Sequence, residues 1–158
     1  MEQNHSYFMS LAIVEAERGI EKGHGGPFGA VVVRDGKVIG SGHNQVLLRK
    51  NPQWHGEMVA IEAACKTIDS FDLSGSVLYT TGEPCPMCLA TILWANIDKV
   101  YYGCTVADNE RIGFRDKKFD EKMQINRANF DDMLVEVDRD KCLELFEKYN
   151  NIQNKTMY

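Results

Sequence analysis

Two short motifs constrain this chain more than any other feature: His55-x-Glu57 and Cys85-x-x-Cys88. A Cys-x-x-Cys that opens a helix places its two sulfurs one turn apart, so both can face one metal ion. A histidine at the start of a second helix supplies a third ligand. Three nitrogen and sulfur ligands leave one tetrahedral position of zinc open, which is typical of a catalytic rather than a structural site. The motifs therefore predict an open zinc centre held by His55, Cys85 and Cys88.

Glu57 follows the first ligand by two residues and is predicted to move protons. The partial positive charge at helix N-termini favours thiolate over thiol at Cys85 and Cys88. Zinc brings the pKa of a bound water toward neutrality, and a nearby carboxylate can carry the proton to the reacting atom and then to the leaving group. This chemistry favours hydrolytic removal of an amine from a ring carbon. His-x-Glu followed by Pro-Cys-x-x-Cys is the signature of zinc nucleobase deaminases.

Other interpretations of the motifs remain open. A fourth ligand from Cys65 or Cys104 would close the site and make it a structural zinc site, as in a non-catalytic zinc-stabilised binding module. A Cys-x-x-Cys is also typical of thioredoxin-like redox pairs. Neither alternative has a use for a proton shuttle at Glu57, and a chain of 158 residues does not need a metal to fold.

Composition indicates one domain spanning residues 1–158, with 44% hydrophobic residues. No apolar run approaches the roughly 18 residues of a membrane helix, and we expect no secretory signal and no membrane partner. Five cysteines without disulfide-like regularity indicate a reducing, cytoplasmic location. A net charge of −5 without a basic stripe makes a nucleic-acid partner unlikely.

Hydrophobic periodicity predicts helices alternating with strands. The predicted helices cover residues 6–22, 55–69, 85–95 and 139–149, and the predicted strands cover 28–34, 37–44, 75–81, 97–103 and 133–137. Asp35-Gly36 is a hairpin signal between the first two strands. The strand–helix–strand spacing around Cys85 predicts a right-handed crossover and parallel strands. We predict the α/β class, a three-layer α/β/α fold with a mixed five-stranded sheet, and irregular chain over 45–54 and 108–129.

With these residues in view, the chain resembles the cytidine deaminase-like superfamily and, within it, the small bacterial guanine deaminases. The resemblance covers most of the chain, and its motifs are the segments 25–30, 55–57, 83–88 and 94–95 and the terminal Tyr158. It implies zinc-dependent hydrolysis of guanine, a free nucleobase, to xanthine and ammonia in purine catabolism. It also implies a homodimer that exchanges a C-terminal segment of about residues 139–158.

The resemblance further implies roles for single residues. His55, Cys85 and Cys88 match the zinc ligands of the family, and Glu57 matches its proton shuttle. Residues matching substrate-binding positions are Phe28, Asn44, Gly56, Trp94, Phe114, Asp116 and Tyr158. Asn44 binds the ring by its amide, Trp94 forms a pocket wall, Phe114 packs on guanine, and Tyr158 reaches the neighbouring subunit's site. Asp116 accepts the N–H donors of guanine, since an ionised carboxylate only accepts.

The chain departs from the family pattern at two positions. Gly56 stands where alanine is common, which lowers helix propensity by roughly 1 kcal/mol, and Arg115 is more basic than expected beside Asp116. The backbone N–H groups of Gly56 and Cys85, at helix starts, are suited to hold an exocyclic oxygen. The alternative functions are a tRNA adenosine deaminase, which needs a basic face for an RNA loop, and a cytosine- or cytidine-type deaminase.

Overall fold

The computed structural model describes residues 4–158 as one five-stranded sheet covered by helices on both faces. Residues 1–3, included in the predicted domain, lie outside the described part. The helices are α1 His5–Glu21, α2 Val46–Arg49, α3 Gly56–Ile68, α4 Pro86–Trp94, α5 Val106–Arg111, α6 Asp116–Met123 and α7 Arg139–Asn150, with a 3-10 turn at Arg127–Phe130. The strands are β1 Gly29–Arg34, β2 Lys37–His43, β3 Ser76–Gly82, β4 Lys99–Cys104 and β5 Leu134–Glu136.

The sheet has the order β2-β1-β3-β4-β5 and mixed strand directions. β1 pairs antiparallel with both β2 and β3, whereas β4 pairs parallel with both β3 and β5. Asp35 and Gly36 have φ values of 51° and 71°, so they form the type I′ turn that suits a two-residue hairpin. The predicted hairpin and the parallel β3–α4–β4 crossover are both confirmed.

Alternating side chains of β1 enter two separate cores, which makes the three layers. Ala30 and Val32 pack in one cluster with residues of α3 and α4, including Ala60 and Ile92. Val31 lies in another cluster with Phe8 of α1, on the opposite side, and α7 lies on that same side with α1. Because β1 is buried on both faces, its sequence is a continuous apolar run rather than an alternating one.

Two sequence predictions of irregular chain are wrong. Segment 45–54 contains the four-residue helix α2, and segment 108–129 contains the end of α5, the whole of α6 and most of the 3-10 turn. These elements are short, and the charged helix α6 has only two apolar side chains, Phe119 and Met123, so the apolar signal of this region is weak. A capping signal was nevertheless present, since the Thr105 hydroxyl and the Asp108 carboxylate form a capping box at the start of α5.

Two further features bear on the expected environment of the chain. Among residues 4–158, no helix is both long and apolar enough to cross a bilayer. All five cysteines are unpaired.

Candidate metal centre and adjoining cavity

The predicted metal ligands converge on one point. His55 Nδ1 lies 3.5 Å from the sulfur of Cys85 and 3.6 Å from the sulfur of Cys88. A zinc ion bonded tetrahedrally to nitrogen and sulfur at ordinary bond lengths would separate those atoms by about 3.5 Å. The donor set and its spacing therefore fit zinc, with one coordination position left for a small molecule.

Local backbone structure explains why these side chains meet. His55 and Cys85 are the N-cap residues of α3 and α4, both with extended backbone, and Pro86 occupies the first turn of α4. Proline suits that position because its missing N–H would be unbonded anyway. Cys88, one turn further, is fully buried under the same helix start. The two helix N-termini thus place partial positive charge beside the thiolates.

No fourth protein ligand joins the group. Within the part of the chain that the structure describes, His55, Cys85 and Cys88 form the one cluster of three or more metal-binding side chains, with ligand atoms within 4.8 Å of one another. Cys65 packs against the core beneath α3 and α4, and Cys104 lies in the core shared by α1 and α7. Neither cysteine can therefore act as the fourth ligand that a closed structural site would need.

Without a metal ion, the protonation states of His55, Cys85 and Cys88 depend on one another. A hydrogen bond from Cys88 lowers the pKa of Cys85 to about 4, whereas burial raises the pKa of Cys88 well above its ordinary value. Burial opposes a charge on His55, but its bond to the Cys85 thiolate prevails and raises its pKa to about 9. The metal-free site thus pairs a thiolate with an imidazolium, and an incoming cation displaces protons.

Glu57 lies in the first turn of α3, only 4% exposed. Its carboxylate has the Thr80 hydroxyl 3.4 Å away, and burial raises its pKa. A buried carboxyl group with a raised pKa holds a proton more readily than an exposed one, which suits a group that must take and return a proton.

A small inner cavity adjoins the metal ligands. It has a volume of about 20 Å³, room for about one water molecule. Its lining residues are Phe28, Asn44, His55, Glu57, Gly82, Glu83, Cys85, Phe114, Asp116 and Tyr158. A larger outer cavity of about 320 Å³ shares His55, Cys85, Phe114, Asp116 and Tyr158 with it. Metal ligands, proton shuttle and five of the predicted substrate-binding residues therefore share one site.

Asn44 presents a hydrogen-bond donor to the inner cavity. Its Oδ1 accepts from the Val46 N–H at 3.1 Å, which fixes the orientation of the amide. Its Nδ2 is buried and has no hydrogen-bond partner among residues 4–158. A buried amide N–H without a partner is energetically unfavourable, so this group is suited to a ligand acceptor.

Asp116 presents an acceptor to the same cavity. Asn109 Nδ2 donates to Asp116 Oδ2 at 3.0 Å, leaving the other carboxylate oxygen for a ligand. Burial, together with the negative charge of Cys85, raises the pKa of Asp116 to about 6. The site therefore offers one fixed donor and one fixed acceptor beside the metal.

Aromatic rings form the remaining wall. Phe28 and Phe114 meet edge to face with centroids 4.8 Å apart, and Tyr158 stands 5.3 Å from Phe114. The Tyr158 hydroxyl accepts a hydrogen bond of 2.9 Å from the Gly26 N–H. In this single chain, Tyr158 therefore lies in its own subunit's cavity.

Two predicted substrate-binding residues lie elsewhere. Trp94, at the end of α4, is 85% exposed and lines neither cavity of this single chain, so its assignment to a pocket wall stays a prediction. Gly56 is buried behind the cavity, where an added methyl would lie 2.9 Å from the Phe28 carbonyl oxygen. Close approach of two backbone segments thus accounts for glycine at this position.

The sequence analysis missed residues that surround the site. Gly82 and Glu83 line the inner cavity, and Asn109 orients Asp116. Arg127 binds the loop before Cys85. Glu83 stood next to a recognised motif and could have been found, whereas Asn109 and Arg127 are brought in only by tertiary packing.

Known proteins resemble the chain over most of its length. A family model, the cytidine and deoxycytidylate deaminase zinc-binding region, matches residues 2–104. Guanine deaminase of Bacillus subtilis (strain 168) is 37% identical over 159 residues, covering 98% of this chain and 99% of the relative. An X-ray structure of guanine deaminase from Bacillus subtilis is 36% identical, with a TM-score of 0.74 over 98% of this chain and 99% of that chain.

A tRNA-specific adenosine deaminase of Aquifex aeolicus (strain VF5) is 33% identical over 145 residues, covering 92% of this chain and 95% of the relative. Both kinds of relative are deaminases. The matched family segment contains Glu57 and the three residues His55, Cys85 and Cys88, whose positions satisfy the spacing that zinc requires. The chain therefore belongs to the family of zinc-binding cytidine and deoxycytidylate deaminases.

Proposed function

We propose that the protein converts guanine and water to xanthine and ammonia. The observation that carries this proposal is the pair of polar groups facing the inner cavity, the Asn44 amide N–H and the Asp116 carboxylate, beside Glu57 and the metal ligands. Guanine carries N–H donors and ring or carbonyl acceptors on adjacent edges, so it matches one fixed acceptor and one fixed donor. Likeness to a guanine deaminase over nearly the whole chain supports the same substrate.

Zinc held by His55, Cys85 and Cys88 would supply Lewis-acid activation of water in this site. Glu57 takes the proton from the attacking water and delivers it to a ring nitrogen next to the carbon under attack. The same carboxyl group then takes the proton of the added hydroxyl and gives it to the leaving amine, which departs as ammonia while the carbonyl of xanthine forms. One carboxyl group serves both steps because it lies in the cavity, buried beside the ligands.

Other residues hold the base in place. Asp116 accepts from an N–H edge, and Asn44 Nδ2 donates to an acceptor. Phe114 and Phe28 offer an aromatic surface to the flat ring. A base without matching donors leaves the second carboxylate oxygen of Asp116 without a hydrogen bond. This loss discriminates between bases far more strongly than apolar packing does.

Ammonia release from several substrates tests the proposal. The purified zinc-loaded protein is assayed side by side with guanine, adenine, cytosine, cytidine, guanosine and a tRNA anticodon stem-loop. We expect turnover with guanine at least about 100-fold above that with the other substrates, since mismatched polar groups are strongly rejected. Activity on the anticodon stem-loop without activity on guanine would contradict the proposal and favour a tRNA adenosine deaminase.

We also propose that the protein works as a homodimer in the reducing cytoplasm. Leu93 and Trp94 at the end of α4 are exposed apolar side chains, 49% and 85% accessible, and adjacent exposed apolar groups suit an interface. The unpaired cysteines agree with a reducing compartment. Exchange of the segment from about residue 139 to 158 would preserve its contacts, since a partner copy supplies the same residues.

Complementation between two inactive variants tests the exchange. Glu57→Gln disables one chain and Tyr158→Ala disables the other. If the segment is exchanged, a mixed dimer contains one site with both Glu57 and Tyr158. Random mixing then restores about a quarter of wild-type activity per chain. No recovery in demonstrably mixed dimers would show that each cavity uses its own Tyr158.

A further inference from the structure

Arg127 lies outside the cavity lining but connects its two sides. Its Nε and Nη2 donate to the two oxygens of Asp120 at 2.8 and 2.7 Å, a bidentate pair. Its Nη1 donates to the Pro84 carbonyl at 2.6 Å and lies 3.4 Å from a carboxylate oxygen of Glu83. Asp120 belongs to α6, the helix that begins with Asp116. Arg127 therefore joins this helix to the loop that leads into the ligand Cys85.

The Pro84 carbonyl is part of the peptide bond whose N–H belongs to Cys85. A charged donor on that carbonyl fixes the orientation of the peptide plane, and charge-assisted bonds are about twice as strong as neutral ones. It also polarises the peptide, which makes the Cys85 N–H a better donor. Arg127 thus acts directly on the N-cap residue of α4, whose sulfur is a ligand.

A second connection runs parallel to the first. Asn109 Nδ2 donates to Asp116 and lies 3.4 Å from the Glu83 carbonyl. Two consecutive carbonyls before Cys85, those of Glu83 and Pro84, are therefore both held by donors that also bind carboxylates of α6. A shift of α6 would move the metal-binding loop with it.

Arg127 cannot be replaced by another cation without loss. Its side chain is only 19% exposed, and those of Glu83 and Asp120 are 9% and 10% exposed. One planar guanidinium serves both carboxylates and the carbonyl at once, and a lysine ammonium does not reproduce that geometry.

We infer that Arg127 is a positioning residue that sets the metal-binding loop against α6, so that the ligand geometry and the placement of Asp116 are fixed together. The part of this inference that concerns Asp116 rests on the proposed function, whereas the part that concerns the metal does not.

The chain offers a matched control. Arg139 makes the same bidentate pair with Asp108, at 2.9 and 2.8 Å, between α7 and α5. Its recorded hydrogen bonds reach only Asp108 and no atom of the metal-binding loop. Arg127→Lys and Arg139→Lys therefore each disrupt a bidentate arginine–carboxylate pair, one at the site and one, more exposed, away from it.

Zinc affinity is measured for wild type and both variants by competition with a chelator, and stability of the metal-free proteins by urea unfolding. We expect Arg127→Lys to weaken zinc binding about 10- to 100-fold, the usual effect of removing a group that orients ligands. Arg139→Lys should change zinc affinity by less than about threefold, and it should lower the free energy of unfolding by no more than Arg127→Lys does, because its ion pair is more exposed. At full zinc occupancy, kcat/KM for guanine should fall about tenfold or more in Arg127→Lys alone.

Equal changes in zinc affinity for the two variants would overturn the inference and leave Arg127 with a role in stability alone. If Arg127→Lys does not fold, Asp120→Asn removes one charge of the same connection, and its zinc affinity should fall at least about threefold below that of Arg139→Lys. An unchanged affinity in Asp120→Asn would likewise overturn it. Failure of wild type to deaminate guanine would refute the proposed function, while the zinc measurements still decide the role of Arg127.

Discussion

Replacing Glu57 by glutamine tests the proton shuttle with little disturbance of the fold. Glu57 is 4% exposed and the Thr80 hydroxyl lies 3.4 Å from its carboxylate, a position that an amide oxygen can equally occupy. Burial raises the pKa of Glu57, so a neutral side chain removes an unfavourable buried charge. The variant should therefore unfold at the same or a higher denaturant concentration than wild type, and it should keep zinc because no ligand is lost.

The turnover of Glu57→Gln, in contrast, should fall by orders of magnitude. General acid–base catalysis contributes about 10²- to 10⁴-fold in rate, which corresponds to about 2.7–5.4 kcal/mol at 1.36 kcal/mol per factor of ten. Here one carboxyl group is assigned both proton transfers, so the loss belongs toward the larger value. The measurement is ammonia release from guanine at saturating substrate, with zinc per chain determined on the same samples.

Glu62→Gln is the matched control on the same helix. Glu62 forms surface ion pairs with Lys66 at 2.9 Å and Arg49 at 3.8 Å, and such exposed pairs contribute little. Its turnover should stay within about twofold of wild type. The reasoning is refuted if zinc-loaded Glu57→Gln retains more than about one-tenth of wild-type turnover, or if it loses zinc.

Four other predictions concern pH, zinc binding and assembly. Because the pKa of Asp116 is raised to about 6, kcat/KM for guanine should fall about tenfold per pH unit below that value. Asp116→Asn should abolish this loss of activity at acid pH, and an unchanged pH profile in the variant would contradict the role assigned to Asp116. The same raised pKa means that the folded state holds this proton more tightly than the unfolded chain, so Asp116 should make stability fall as pH rises from about 4 to 6 in urea titrations. Zinc binding near pH 7 should release about two protons, one from His55 and one from Cys88. Calorimetry in buffers of different ionisation enthalpy measures this number, and no release would contradict the protonation assigned to these two residues without zinc. Trp94→Asp should convert dimer to monomer in sedimentation, and an unchanged mass would exclude the α4 end as the interface.

The metal site was predictable because each of its motifs is local. Cys85 and Cys88 need only a helix start between strands, and His55 needs another, so spacing alone indicates that the sulfurs can share an ion. The hairpin at Asp35-Gly36 is equally local, because two residues with positive φ define the turn.

Residues that depend on long-range packing were beyond the sequence. Asp116 stands among Arg115, Lys117 and Lys118 in the sequence, which is typical of a surface carboxylate, yet α6 packs so that Asp116 faces the cavity. Arg127 looks like an ordinary charged residue until the fold brings Pro84 and Asp120 to it. Trp94 stays a prediction, since an apolar side chain at a helix end does not reveal what covers it and it is 85% exposed in the single chain.

The metal coordination itself is the most direct test of the whole account. X-ray absorption and elemental analysis of protein purified without chelators should show one zinc per chain, bonded to two sulfurs, one imidazole nitrogen and one light-atom ligand that substrate analogues perturb. A protein without zinc, or a zinc ion with a third sulfur or a second histidine in the fourth position, would contradict it.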